Sequence, residues 1–158
     1  MWKKARKLSG TSAGVQMIWG IQWDETLKWL IDTGEKTYAE IASDSTSWGN
    51  YYNNSFTYYT NTSKSTATKS SRTSTIISSG AYEGANANNV YDLAGNVWDW
   101  TLESNGSGTG YGRYFRGGIY YDDGFLSPAA LRSYGDPGYS YPDGSNIYIG
   151  LRCSLFIK

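Results

Sequence analysis

The sequence predicts an α+β domain in which long irregular loops outweigh regular elements, and three observations carry that reading. Trp23, Leu27, Leu30 and Ile31 recur at helical spacing. Near the C-terminus Ile147, Ile149, Leu151, Cys153, Leu155 and Ile157 alternate with Tyr148, Gly150, Arg152, Ser154 and Phe156. That two-residue period belongs to a strand with one face on a core. Between these, from Ser43 to Asn89, no period survives. At 158 residues the chain reads as one domain with a single core.

In chain order, Met1–Leu8 suits a short helix ended by Ser9-Gly10, and the apolar run Val15–Trp23 is expected in the core. A stronger helix is expected over Asp24–Thr33, with Asp24 as its N-cap and Gly34 as its stop. The stretch Ser43–Asn89 is rich in Ser and Thr. Disorder is one reading of it, but Trp48, Phe56 and the tyrosines are anchors that disordered segments lack, which favours a packed loop. A second strand is expected over Arg113–Tyr120, where Gly117-Gly118 signals a bulge or a close backbone approach. In the last strand Cys153 falls on the apolar face, as a small buried hydrophobe rather than a reactive thiol.

Composition excludes several function classes. Fourteen Lys and Arg balance fourteen Asp and Glu, and the only basic cluster is Lys3, Lys4, Arg6 and Lys7. Nucleic-acid binding rests on a concentrated cationic patch, so no nucleic-acid partner is expected. No apolar run reaches the ~18–20 residues of a membrane span, and no signal-peptide core follows the basic start. A single cysteine rules out an internal disulfide. The absence of histidine removes the commonest general base, the usual imidazole metal ligand and every Ser–His or Cys–His pair.

Three segments occur in order: YDLAGNVWDWT at Tyr91–Thr101, RYFRGG at Arg113–Gly118 and IGLR at Ile149–Arg152. Together with the upstream MIWGIQWDETLKWL they resemble the signature blocks of the formylglycine-generating enzyme (sulfatase-modifying factor) family. The resemblance implies a C-type-lectin-like fold with long loops over few strands. Only a short stretch precedes Met17, so the chain is expected to be a minimal domain or the C-terminal part of a longer protein. In the family's oxidases two cysteines follow the RGG block and work with copper. Laid on RGGIYYDDGFLS, that pattern falls on Asp122 and Ser127, neither of which offers a thiolate. A related branch uses histidine-ligated iron, and this chain has no histidine. The expectation is therefore no enzyme activity.

From Ser104 to Ile157 there is no Lys, Glu, Gln, Met or Trp, although these types supply 24 of the 158 residues. Ile119–Tyr148 is built from residues that pyrimidine-ending codons can encode. This resembles the variable region of proteins diversified by retroelements, which implies a variable ligand-binding region at 119–148. Tyrosine supplies rigid amphipathic contact area and Ser, Gly and Asp supply adaptable hydrogen bonds, the composition of a paratope. The expected contact residues are Ile119, Tyr121, Asp122, Asp123, Phe125, Leu126, Leu131, Ser133, Tyr134, Asp136, Tyr139, Ser140, Tyr141 and Asp143, gathered on one solvent-facing patch. Leu131 reads equally well as a core plug. A protein or glycan ligand on a cell surface is the expected partner, with the domain on a phage virion or bacterial surface.

The interleaved residues read as scaffold. Arg116, Arg132 and Arg152 are expected to pair with carboxylates such as Asp92, Asp99 or Glu103. Trp98 and Trp100 are expected inside. Some members of the family bind calcium near the GNVWDW loop, and here the resemblance implies Asn96 and Asp99 as its ligands, with a purely hydrogen-bonded loop as the alternative. No other cofactor is expected.

Overall fold

The computed structural model describes residues 13–106, 112–136 and 148–157. Strand β1 (Ala13–Met17) leads directly into helix α1 (Gly20–Asp32). The helix starts four residues earlier than its apolar spacing suggested. The backbone N–H of Trp19 donates to Gln22 Oε1 at 2.8 Å, so the amide of Gln22 closes the first turn and Asp24 lies inside the helix rather than capping it. Trp23, Leu27 and Leu30 are buried as their spacing required. Gly34, at φ +74°, ends the helix in the left-handed conformation that glycine adopts without strain. The run Val15–Trp23 is not uniformly core. It crosses from strand to helix, so Met17 and Trp23 are buried while Trp19 and Ile21 are exposed.

After the short helix α2 (Tyr38–Ala42), the stretch to Asn89 is packed and largely irregular. It contains one hairpin, β2 (Phe56–Tyr59) with β3 (Thr66–Lys69), and reaches the two-residue strand β4 (Asn86–Ala87), which pairs with β5 (Val90–Tyr91). Trp48 and Tyr51 join Trp23, Leu27, Leu30 and Leu93 in the main core. Phe56 stacks on Tyr82 at 3.9 Å in a smaller cluster with Ile77 and Ala81. Lys69, which no sequence signal placed inside, is buried. Its Nζ donates to the carbonyls of Tyr51 at 2.6 Å and Asn54 at 2.7 Å, and burial lowers its pKa.

The remaining strands are β6 (Trp98–Ser104), β7 (Arg113–Arg116), β8 (Arg132–Gly135), β9 (Ile149–Leu151) and β10 (Cys153–Ile157). Four of them form a sheet in the order β8-β7-β6-β9, with β9 parallel to β6, while β10 pairs with β1. The C-terminal alternation is thus split between two sheets at Arg152. Ile149 is buried, but Cys153, past the break, is exposed rather than facing the core.

The register gives the sheet two distinct faces. Trp98, Trp100, Phe115 and Ser133 share one; Asp99, Arg116, Arg132 and Tyr134 share the other. Helix α1 covers the second face, where Arg116 pairs with Asp24, a partner its sequence neighbours did not suggest. Arg132 grips Glu103 with Nε at 3.1 Å and a terminal nitrogen at 2.6 Å. Arg152 Nε donates to Asp99 Oδ2 at 2.8 Å. On the first face Trp98 and Trp100 are half-buried rather than inside, packed on Phe115 at 4.7 and 5.4 Å.

Two outcomes follow from this packing. Trp23 Nε1 donates to the carbonyl of Ala129, 106 residues away, at 3.1 Å in the core. Trp23→Phe removes the donor and strands that carbonyl, and urea denaturation should show a loss of about 1–3 kcal/mol. Burial moves the Asp99 carboxyl from 3.8 up to about 6, against the pull of Arg152. Between these values the folded state holds the proton that the unfolded chain has lost, so this group's contribution to stability falls as pH rises through that window. Urea midpoints from pH 4 to 7 should show this slope, and Asp99→Asn should flatten it.

Candidate binding surface

The RGG block turns the chain out of β7 by a route that only glycine permits at two points. Gly117 has φ +77°, and a Cβ on Gly118 would overlap the Ser127 carbonyl and the Tyr51 ring. The chain then forms a tight turn from Ile119 to Ser127. Ile119 and Tyr120 are its buried root, with Tyr120 N–H donating to the Asn96 carbonyl at 3.0 Å. Ile119 is fully enclosed, so its expected place among the contact residues is corrected: it is core, because the chain is still inside the domain as it leaves Gly118.

Beyond the root the turn is fastened at several points. Asp122 N–H donates to Ile119 O at 3.2 Å, and the amides of Leu126 and Ser127 donate to Asp123 O at 3.0 and 3.1 Å. The Ser127 hydroxyl donates to Asp122 Oδ2 at 2.5 Å. The two positions on which the cysteine pattern falls are thus in direct contact, as a hydroxyl and a carboxylate. Gly124 lies so close to Thr46 that a side chain would not fit, and its N–H donates to Asn53 Oδ1 at 3.2 Å. Held this way, the turn presents Tyr121, Phe125 and Leu126 to solvent, 37%, 53% and 63% exposed. Tyr121 is braced edge-on by Trp98 at 6.1 Å and Tyr148 at 5.2 Å. Asp122 and Asp123 are half-buried beside them, and Asp123 Oδ1 has no hydrogen-bond partner.

The other expected contact residues do not join this group. Leu131 is half-buried between its two readings, and Ser133 is half-buried on edge strand β8. Tyr134 is 63% exposed, but on the opposite sheet face from Trp98 and Tyr121, beside Tyr114. Asp136 is exposed just past that strand. The single patch expected from composition is therefore divided, because alternation along β8 turns Tyr134 away from the turn. Tyr139, Ser140, Tyr141 and Asp143 lie outside the described residues.

The GNVWDW loop borders a cavity of about 310 Å³ lined by Asp92, Asn96, Asp99 and Arg152 with Ile77 and Leu151. Asn96 does not fit the calcium role. Its Oδ1 accepts from Asn50 Nδ2 at 3.0 Å and from Ile77 N–H at 3.2 Å, and its Nδ2 donates to Ile77 O at 3.1 Å. Asp99 is engaged by Arg152. Among the described residues no three His, Cys, Asp or Glu side chains gather as a metal centre. The oxygen that lacks a partner here is Asp92 Oδ1, whose fellow Oδ2 accepts from Ser79 Oγ at 2.7 Å and Gly80 N–H at 2.8 Å. The sequence suggests Asp92 only as an ion-pair partner for an arginine; instead its carbonyl accepts from Arg152 at 2.6 Å and its carboxylate turns to Ser79 and Gly80.

The fold is similar to that of CarF, known from its crystal structure, at TM-score 0.57 and 19% identity over 95% of this chain and 49% of that one. It is similar to Treponema denticola variable protein 1 at TM-score 0.56 and 19% identity, over 96% of this chain and 50% of that one. At such identity the likeness is one of fold, and the chain spans about half the length of both structures. No curated protein sequence matches it. A family model, however, covers residues 3–155 and meets the blocks that carry the RGG turn and the GNVWDW loop: the chain belongs to the family of sulfatase-modifying factor enzyme 1-like domains.

Proposed function

We propose that this domain is a non-catalytic ligand-binding module whose contact surface is a hypervariable, retroelement-diversified turn within residues 119–148. The observation that carries the reading is the turn itself. Its root and its fastenings are buried or hydrogen-bonded, while Tyr121, Phe125 and Leu126 stand out from it. Phe125 and Leu126 are mostly exposed, and Tyr121 meets the frame through edge-on ring contacts with Tyr120, Trp98 and Tyr148, so the fold tolerates change where change would alter recognition. A rigid aromatic and aliphatic tip loses little conformational entropy on binding. The resemblance to a variable protein supports the same reading. A cell-surface protein or glycan is the class of ligand, with the domain on a phage or bacterial surface.

The oxidase reading requires two thiolates after the RGG block. Asp122 and Ser127 stand there bonded to each other, and neither binds copper(I) or passes through a cysteine redox step. No cofactor enters the proposed function.

Sequences of sibling genes test the variable surface. Substitutions should concentrate at Tyr121, Asp123, Phe125 and Leu126 and spare Ile119, Tyr120, Gly124 and Ser127; changes spread evenly over both groups would refute it. A copper-supplemented assay on a cysteine-containing peptide should give no formylglycine, and turnover would restore the enzyme reading. The paired variant Phe125→Ala with Leu126→Ala should unfold within about 0.5 kcal/mol of the parent, since both side chains are exposed.

A further inference from the structure

We infer that the recognition face is composite: the segment 44–54 adds a fixed contact surface, chiefly Tyr52 and Asp44, beside the turn, and the partner is a protein with an apolar pocket and a basic rim. This rests on the proposed binding function.

Size is the first argument. A specific protein interface takes roughly 800 Å² from each partner. Three partly exposed side chains on one turn supply on the order of 300 Å², given about 150–250 Å² for a wholly buried aromatic. Tyr134, the other large exposed aromatic of the expected region among the described residues, is on the opposite sheet face. Among the described residues, the further area is supplied by what adjoins the turn.

The adjoining segment is identified by its bonds. Tyr52 N–H donates to Asp122 O at 2.8 Å, and Ser45 N–H donates to Gly124 O at 3.2 Å. Asn53 Oδ1 accepts from Gly124 N–H. From beneath, Trp48 and Tyr51 anchor the segment in the core. Tyr52 is 37% exposed, matching Tyr121, and its carbonyl is held in turn by Arg72 N–H. It is a second preorganised tyrosine that lies outside the stretch whose composition marks variation.

Charge and polarity select the partner. Neither 44–54 nor 119–127 contains Lys or Arg, while Asp44 is exposed next to Ser45, which bonds Gly124, and Asp122 and Asp123 are half-buried in the turn itself. The neighbouring cations are Lys69, buried beneath, Arg72 at the margin, and Lys36, whose ammonium lies over the Trp48 ring at 5.0 Å. Carboxylates in the turn and in the segment bonded to it, beside the apolar Phe125 and Leu126, complement a pocket rimmed by basic groups. A glycan needs convergent free hydrogen-bonding groups. Here Asn53 Oδ1 is taken by Gly124, and Asp122 Oδ2 by Ser127.

A displayed library with Tyr121, Asp123, Phe125 and Leu126 randomised, selected on lysozyme as a basic protein, tests both claims. In independent binding clones Tyr52→Ala should weaken Kd at least fivefold and Tyr52→Phe should retain affinity. Ile21→Ala, on the exposed side of α1 across the sheet, should change nothing. Asp44→Asn should slow association at low salt. Kd within twofold of the parent clones for Tyr52→Ala would overturn the composite face while leaving the binding function intact. Failure to obtain any clone would overturn both.

Discussion

The domain depends on one half-buried cation whose partner carboxylate is buried. Arg152 stands where the chain leaves β9 for β10, and its guanidinium reaches Asp99 Oδ2 on β6, the carbonyl of Asp92 at 2.6 Å and the ring of Trp23 at 5.6 Å. Its own carbonyl accepts from Ile18 N–H at 3.2 Å, at the junction of β1 and α1. One residue thus ties the central sheet, the terminal strand pair and the helix core together. The geometry has to be good because Asp99 is desolvated, as its raised pKa records. An ion pair of this kind adds little net energy but is very costly to break from one side.

From that junction the molecule divides into a frame and a display. The frame is the α1 core, the sheet face that the helix covers, and the packed stretch between α2 and β5. The display is the turn after Gly118. It is fastened to the frame by backbone amides and by short polar side chains: Ser127, Asp122 and Asn53. Because those fastenings do not use the protruding side chains, the path of the turn does not depend on Phe125 and Leu126. Tyr121 differs, because the half-buried Trp98 ties it to the sheet. Trp98 braces Tyr121 on one side and Phe115 on the other, so the tip is stiffened by the sheet on which it stands.

Much of this was legible in the residues. The helical spacing of Trp23, Leu27 and Leu30 identified the core face, because burial of a helix stripe is a local pattern. The two glycines of the RGG block announced a backbone approach that the structure shows against Ser127 and Tyr51. That the three arginines pair with carboxylates could be foreseen as a class, and two of them find their partners among the acids named, Glu103 and Asp99. What escaped was of another kind. The start of α1 was missed because the cap comes from a glutamine side chain. Cys153 was placed inward because alternation says nothing about a strand that changes sheets. Lys69 was overlooked because no periodicity marks a lysine that satisfies loop carbonyls.

The sequence by itself determined the family, the α+β class, the core face of the helix, and the absence of thiolates and imidazoles at the positions where the family's chemistry would need them. These are properties of residue identity and local spacing, which a chain carries unfolded. Only the tertiary structure decided which tyrosines share a face, that Ile119 is core, that Asn96 is consumed by its neighbours and that Asp92 is left with a bare oxygen. Those depend on the direction in which a side chain leaves a sheet and on partners dozens of residues distant. Neither is written in a linear pattern.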